Sequence, residues 1–244
     1  MLDSLIAELR DREHQFTIYR SGTQPEIEAW LADHGVAVES RSLPPGGPEP
    51  YLEIETAGEV VGIIGIDAIE GLVEPPIRRP GDRDGISEGY RVLFDVLEQT
   101  VVSGMHRREL LAVSREIEDR AYRVGEGTLR VSLQTLSTFR SQIDLYRTLA
   151  AETTLDIHIY GRDDWTPPTT TGVSYHTEEA ERFEPYWALA YDGGPTDSQA
   201  CGLVAREHSN GYTGFWMNDP ALVEEVVTAL TAGGAGSREA DAGF

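Results

Sequence analysis

Asp156, His158, Asp163, Asp164 and His176 are the residues of this chain best suited to chemistry, a set of carboxylates and imidazoles of the kind that holds a divalent metal for hydrolysis. A spacing of two places Asp156 and His158 on one face of a strand. Asp163, Asp164 and His176 fall in a segment, 161–184, that reads as one long loop, where spacing fixes no geometry. A solvated acidic face is therefore the preferred reading, and no metal ligand is assigned. Cys201 is the single cysteine, which excludes an internal disulfide and a cysteine-rich metal site, and it reads as a small core residue. No nucleophile elbow, P-loop or dinucleotide fingerprint occurs. Gly62-Ile63-Ile64-Gly65 lies inside an expected strand and reads as close backbone packing. No catalytic residue is assigned, and a hydrolase using Asp156, His158 and Asp163 around a metal stands as the alternative.

The aromatic residues offer a second chemistry, recognition without bond-making. Trp165 follows a strand directly and precedes Pro167-Pro168, while Tyr186-Trp187 and Phe215-Trp216 form adjacent pairs on neighbouring expected strands. Neighbours along a strand point to opposite faces. One residue of each pair should enter the core, and the other could line a pocket under the loop 161–183. Ordinary core packing is the competing reading.

The elements that position these residues follow from periodicity. Leu2, Leu5, Ile6 and Leu9 mark a short amphipathic helix, and Phe16 to Arg20 a strand. Thr23 and Glu26 form a capping box ahead of a helix face of Ile27, Trp30, Leu31 and His34. Val36 to Ser42 is extended, and Tyr51–Thr56 with Glu59–Asp67 reads as a hairpin turning at Ala57-Gly58. A Pro- and Arg-rich loop, Glu74 to Gly85, leads to a helix with Tyr90, Leu93 and Leu97, and a long helix runs from Met105 to Val124, stopped by Gly125.

The plan then repeats. Leu129–Leu133 is a strand, Leu136 to Leu149 a helix and Thr154–Tyr160 a strand; Tyr186–Tyr191, Ala200–Arg206 and Gly211–Met217 follow, and Asp219 caps a last helix with Pro220 at its first position. The fold class is α+β, with mixed, mostly antiparallel sheets, packed helices and two similar β-α-β-β-β-α halves. The expected units are an N-terminal half at 1–104, a second domain at 105–232 and a disordered Gly- and Ala-rich tail at 233–244.

Charge says where such a chain works. Asp and Glu number 42 against 20 basic residues, every one of them Arg, for a formal net charge of -22. Molar salt screens the resulting self-repulsion over about 3 Å, so a salt-rich cytoplasm is the expected setting. The acidic balance argues against direct nucleic-acid binding, no apolar run is long enough to span a membrane, and Met1-Leu2-Asp3-Ser4 lacks the character of a signal peptide.

Several segments together resemble DICT domains. Ser114-Arg115-Glu116-Ile117-Glu118-Asp119-Arg120-Ala121 is similar to that family's opening helix. A strand ending in Gln134, a helix with Phe139 and Tyr146-Arg147-Thr148-Leu149-Ala150, a strand-end Gly161-Arg162-Asp163, the strand Glu184 to Leu189 and a closing Gly214-Phe215-Trp216-Met217-Asn218-Asp219-Pro220 follow in the family's order. The resemblance spans Leu110 to Leu230. It implies an α+β sensory domain in signal transduction, with a light-related response suggested by domain company. The family's usual kinase, cyclase or DNA-binding output is not recognisable in this chain, so the expected partner is a signalling protein such as a histidine kinase or a transcription regulator, with a homodimer as a further option. Trp165, Trp187, Phe215, Trp216 and Gln134 are the candidate ligand-binding residues. Arg115, Glu118 and Asp119 are the candidate coupling surface. The cofactor is left open, although the absence of lysine excludes a retinal Schiff base and Cys201 alone could carry a bilin.

Overall fold

A computed structural model describes residues 2–10, 14–22, 28–29, 31–32, 36–56, 58–66, 101–177, 185–209 and 211–232. The expected loop 74–85, the helix around Tyr90 to Leu97 and the tail 233–244 lie outside the described residues.

Helix α1 (Leu2–Arg10) leads into β1 (His14–Arg20), followed by β2 (Val38–Ser42) and the hairpin of β3 (Tyr51–Thr56) and β4 (Glu59–Gly65). Gly58 closes the hairpin at φ 82, a left-handed conformation that glycine adopts without penalty. Then come β5 (Val102–Met105), α2 (Arg107–Val124), β6 (Thr128–Thr135), α3 (Leu136–Phe139), a short 3-10 turn at Arg140–Gln142, and α4 (Ile143–Glu152). Strands β7 (Asp156–Arg162), β8 (Val173–His176), β9 (Tyr186–Tyr191), β10 (Cys201–His208) and β11 (Gly211–Met217) precede the last helix, α5 (Pro220–Thr231).

The strands form a four-stranded sheet ordered β2-β1-β3-β4 and a seven-stranded sheet ordered β5-β11-β10-β9-β6-β7-β8. Six of the nine described pairings are antiparallel, and the parallel ones are β1–β2, β6–β7 and β7–β8. Strand β1 pairs parallel with β2 and antiparallel with β3, which pairs antiparallel with β4; β6 likewise pairs parallel with β7 and antiparallel with β9, which pairs antiparallel with β10, while β8 is an added strand parallel to β7. The order β2-β1-β3-β4 is thus matched by β7-β6-β9-β10. Consecutive strands make the antiparallel pairs β3–β4, β9–β10 and β10–β11, whereas a parallel neighbour needs a longer crossover; α3 and α4 supply it between β6 and β7.

Two expectations need correction. Met105 belongs to β5 rather than to the long helix, because Gly104 turns the chain at φ 71 and His106 begins α2 in a capping box with Glu109. The segment 161–184 is not all loop. Val173 and Tyr175 face inward from β8, a strand of four residues, too short to stand out by its alternation. Strand β5 pairs with β11, and α1 packs beside α5 on the seven-stranded sheet.

That sheet has two apolar sides. On one, Leu129, Val131, Ile157, Leu189 and Leu203 join α2 and α4 and the inward residues of the small sheet, Ile18, Leu52, Ile54 and Ile64. On the other, Ala188, Ala190, Val204 and Phe215 lie against Leu5, Ile6 and Leu9 of α1 and Val223, Val226 and Leu230 of α5. Asp3 of α1 is tied down at its margin by Arg206 Nη1, 2.6 Å away.

Candidate functional site

Helix α2 is amphipathic in an unusual way. Leu110, Val113, Ile117 and Ala121 are buried at helical spacing and pack against β9, β10 and β11, while Gly125 ends the helix at φ 79. Its flanks are polar and also buried: Ser114, Glu116 and Glu118 are 2–3 % exposed. Buried polar groups need partners, and this helix finds a different one for nearly every residue.

Glu118 accepts a hydrogen bond from Tyr146 of α4 at 2.5 Å and pairs with Arg115 one turn back, whose guanidinium also reaches Gln142. Burial pushes the Glu118 carboxyl up, while Arg115 and the Tyr146 hydroxyl pull against that rise. The Tyr146 hydroxyl is raised well above its ordinary value, by burial first and then by the Glu118 charge. On the other flank Arg120 donates to Asn218 Oδ1 at 2.8 Å, at the end of β11. Asp119 and Arg123 pair along the solvent side, and Arg123 lies 3.7 Å from Glu116. Ser114 donates to the Leu110 carbonyl at 2.7 Å and accepts from Trp187 Nε1 at 3.0 Å. One helix thus holds α4, β9 and the β11–α5 junction together.

The tryptophans sit differently from one another. Trp187 and Trp216 share the α2 side of the sheet and are 2 % and 6 % exposed. Phe215 is wholly buried on the opposite side, against α5, so it cannot line a cavity with them. Tyr212 meets the Trp187 ring edge-on at 6.3 Å between centroids, and the Arg107 guanidinium lies 5.5 Å over it. Trp165 is half-buried beneath Arg140, 5.8 Å from the ring centroid. The described part of segment 161–183 runs to β8, at the opposite edge of the sheet from β11. Five strand spacings of about 4.8 Å separate the two strands.

Gln134 stands at the end of β6 with φ 67, where the register of β6 against β7 shifts and the chain passes directly into α3. Among the described residues it is the one non-glycine with a left-handed backbone. Its amide donates to Glu207 Oε2 at 2.6 Å. The Gly161-Arg162-Asp163 segment also serves the β6–α3 corner. A Cβ on Gly161 would lie 3.0 Å from the backbone of Thr135 and Leu136. It is Asp164, one residue beyond the motif, that accepts from the Ser137 N–H at 2.8 Å.

Of the metal-like set, Asp156, His158 and His176 come together: His158 Nε2 lies 3.0 Å from Asp156 Oδ2, and His158 Nδ1 lies 2.9 Å from His176 Nε2. Asp163 and Asp164 are exposed and apart from them. No group of three or more His, Cys, Asp or Glu side chains with metal-holding geometry occurs among the described residues. Cys201 is 1 % exposed, and burial pushes its thiol up to about 12. That leaves little thiolate for covalent attachment of a bilin.

Residues 92–208 match the family model described as DICT, the sensory domain in diguanylate cyclases and two-component systems. Over these residues, just under half of the chain, the sequence is similar to DICT domains. The match covers β5 through β10, including the whole of α2, and ends before Gly214–Pro220, the closing segment that had suggested the same family. No curated protein matches the chain. A polyphosphate kinase structure from Porphyromonas gingivalis aligns with 94% of this chain and 48% of its own, at 12% identity and a TM-score of 0.36, too slight a likeness to carry any argument. No helix among the described residues is long and apolar enough to cross a membrane.

Partners of the polar helix α2 were invisible in sequence. Tyr146 and Gln142 are 28 and 27 positions from the residues they touch, and no local spacing announces such contacts. Trp187→Phe tests the seam from the sheet side. It removes the donor to Ser114 and is expected to cost about 2 kcal/mol, lowering Tm by roughly 4–8 °C. Thermal denaturation followed by circular dichroism measures this directly.

Proposed function

We propose that this protein is a non-catalytic sensory regulator whose DICT domain passes the state of a bound ligand or partner, through helix α2, to a separate output protein. The observation that carries this reading is the buried Arg115–Glu118–Tyr146 network between α2 and α4. An apolar contact of equal volume would hold two helices together at least as well. A buried ion pair with two further hydrogen-bonding partners, Tyr146 and Gln142, instead supports two alternative packings of one interface, the kind of element a signal can bias. Any such signal acts only through its difference in affinity for the two states.

Arg115, Glu118 and Asp119 form the coupling surface, and the output partner is a signalling protein such as a histidine kinase or a transcription regulator. The setting is salt-rich cytoplasm, consistent with a net charge of -22 and no lysine. A light-related stimulus is the finer reading, and it requires a non-covalently held chromophore with absorbance in protein purified from its host.

A chimera tests the role. The whole chain replaces the DICT domain of a diguanylate cyclase, and cyclase rate is compared with that of the same enzyme lacking any input domain. The reading predicts a clear difference between the two. Identical rates in every condition tried, with the chimera folded, contradict it. The hydrolase alternative predicts stoichiometric metal; the expected result of elemental analysis is none, with Tm unmoved by a chelator.

A further inference from the structure

On the side that carries α1 and α5, the seven-stranded sheet turns polar over β6, β7 and β8. These strands are parallel neighbours, so residues in register stand side by side. One row reads Arg130, His158, Ser174 and the next Ser132, Tyr160, His176. On the other side of the same strands Leu129, Val131, Ile157 and Ile159 are wholly buried. Facing Arg130 and Ser132 across β9 are Ala190 and Ala188, whose side chains offer no polar atom.

Ser132 is fully buried, and its hydroxyl meets no hydrogen-bond partner. The Nε of Arg130 is likewise buried without one, although the guanidinium hydrogen-bonds Tyr160. No ion pair joins Arg130 to a carboxylate among the described residues. Asp156, the nearest acid on these strands, is occupied by His158. With that carboxylate accepting the Nε2 proton, Nδ1 of His158 accepts in turn from His176, whose ring stacks on Tyr160 at 4.6 Å. Donors without acceptors and a cation without a counter-ion converge at one place.

We propose that this face binds the oxyanion group of a small molecule, a phosphate or a carboxylate, with Arg130 supplying charge and planar donors and Ser132 a hydroxyl. Guanidinium groups pair with such anions in parallel hydrogen bonds, which accounts for Arg here in place of a neutral donor. The proposal rests on the sensory reading for its purpose and names the ligand class. Binding is measured on the isolated chain, so its failure leaves the coupling through α2 untouched.

The experiment is a thermal shift titration of the full chain with inorganic phosphate, against potassium chloride at equal ionic strength. At ten times its Kd, phosphate is expected to raise Tm by roughly 3–6 °C. Arg130→Met removes the shift. Ser132→Ala, which sacrifices no existing hydrogen bond and so keeps the anion-free fold, weakens phosphate by about tenfold. Acetate and citrate run in parallel separate a carboxylate source from a phosphate one. An equal shift in wild type and both variants reveals general stabilisation by exclusion of phosphate from the protein surface and overturns the proposal. A shift with zinc but not phosphate, lost in His158→Gln, overturns it in favour of a metal site.

Discussion

Arg115→Met is expected to destabilise the protein by about 3 kcal/mol near neutral pH and to lower Tm by roughly 6–12 °C. The substitution keeps the Tyr146 hydrogen bond but leaves the Glu118 carboxylate, whose side chain is 2% exposed, without its counter-charge. Removing one partner of a buried pair costs far more than replacing both. The double variant Arg115→Met, Glu118→Gln should therefore regain most of the loss, a coupling that a double-mutant cycle reads out. The pH dependence has a definite sign. Burial raises the Glu118 carboxyl in the folded state, so the folded chain holds this proton more tightly than the unfolded one. Glu118's contribution is then fully present below the ordinary glutamate value and is lost as pH rises through the folded one, at up to about 1.4 kcal/mol per pH unit. Denaturation midpoints from pH 4 to 8 should lose that slope in the single Glu118→Gln variant. An identical slope in both proteins would place the dependence elsewhere.

Gly214→Ala has a comparable expected effect for a different reason. A Cβ at this position would lie 2.5 Å from Ala205 Cα and closer still to the Val204 carbonyl oxygen, both on β10. Those are backbone atoms in the middle of a sheet and cannot swing aside. Strands β10 and β11 would have to part where Ala205 pairs with Gly214. Overpacking of this kind costs about 3 kcal/mol, and an unfolding free energy from urea denaturation lowered by less than a tenth of that would show that the strands separate easily. The Gly214-Phe215-Trp216 segment thus acts as packing: the glycine admits β10, Phe215 fills the α5 side and Trp216 the α2 side.

Sequence spacing was enough to reveal what depends on neighbours along the chain. The capping of α5 by Asp219, with Pro220 at its first turn, the stop of α2 at Gly125, and the β3–β4 hairpin follow from residues within a few positions of each other. The repeated order of the two sheets was legible as a repeated order of elements. Strand β8 was not, since four residues give too little alternation. The site suffered most from long-range geometry. Asp156, His158 and His176 meet because β8 pairs with β7, a fact that no spacing contains. Arg130 and Ser132 drew no attention in an amphipathic strand, because polar residues at alternate positions usually face water; here that side is covered. Phe215 and Trp216 were correctly sent to opposite faces by strand alternation, but both faces of β11 are core.

The claim that most needs testing is that the α2–α4 seam transmits rather than merely fastens. The decisive measurement is the cyclase rate of the chimera carrying Arg115→Met with Glu118→Gln, the pair expected to restore stability. Transmission predicts a folded chimera, with wild-type circular dichroism, whose rate has moved to that of the enzyme without an input domain. A rate indistinguishable from the unmodified chimera would mean that the buried pair is only a fastening, and that the signal travels by another route.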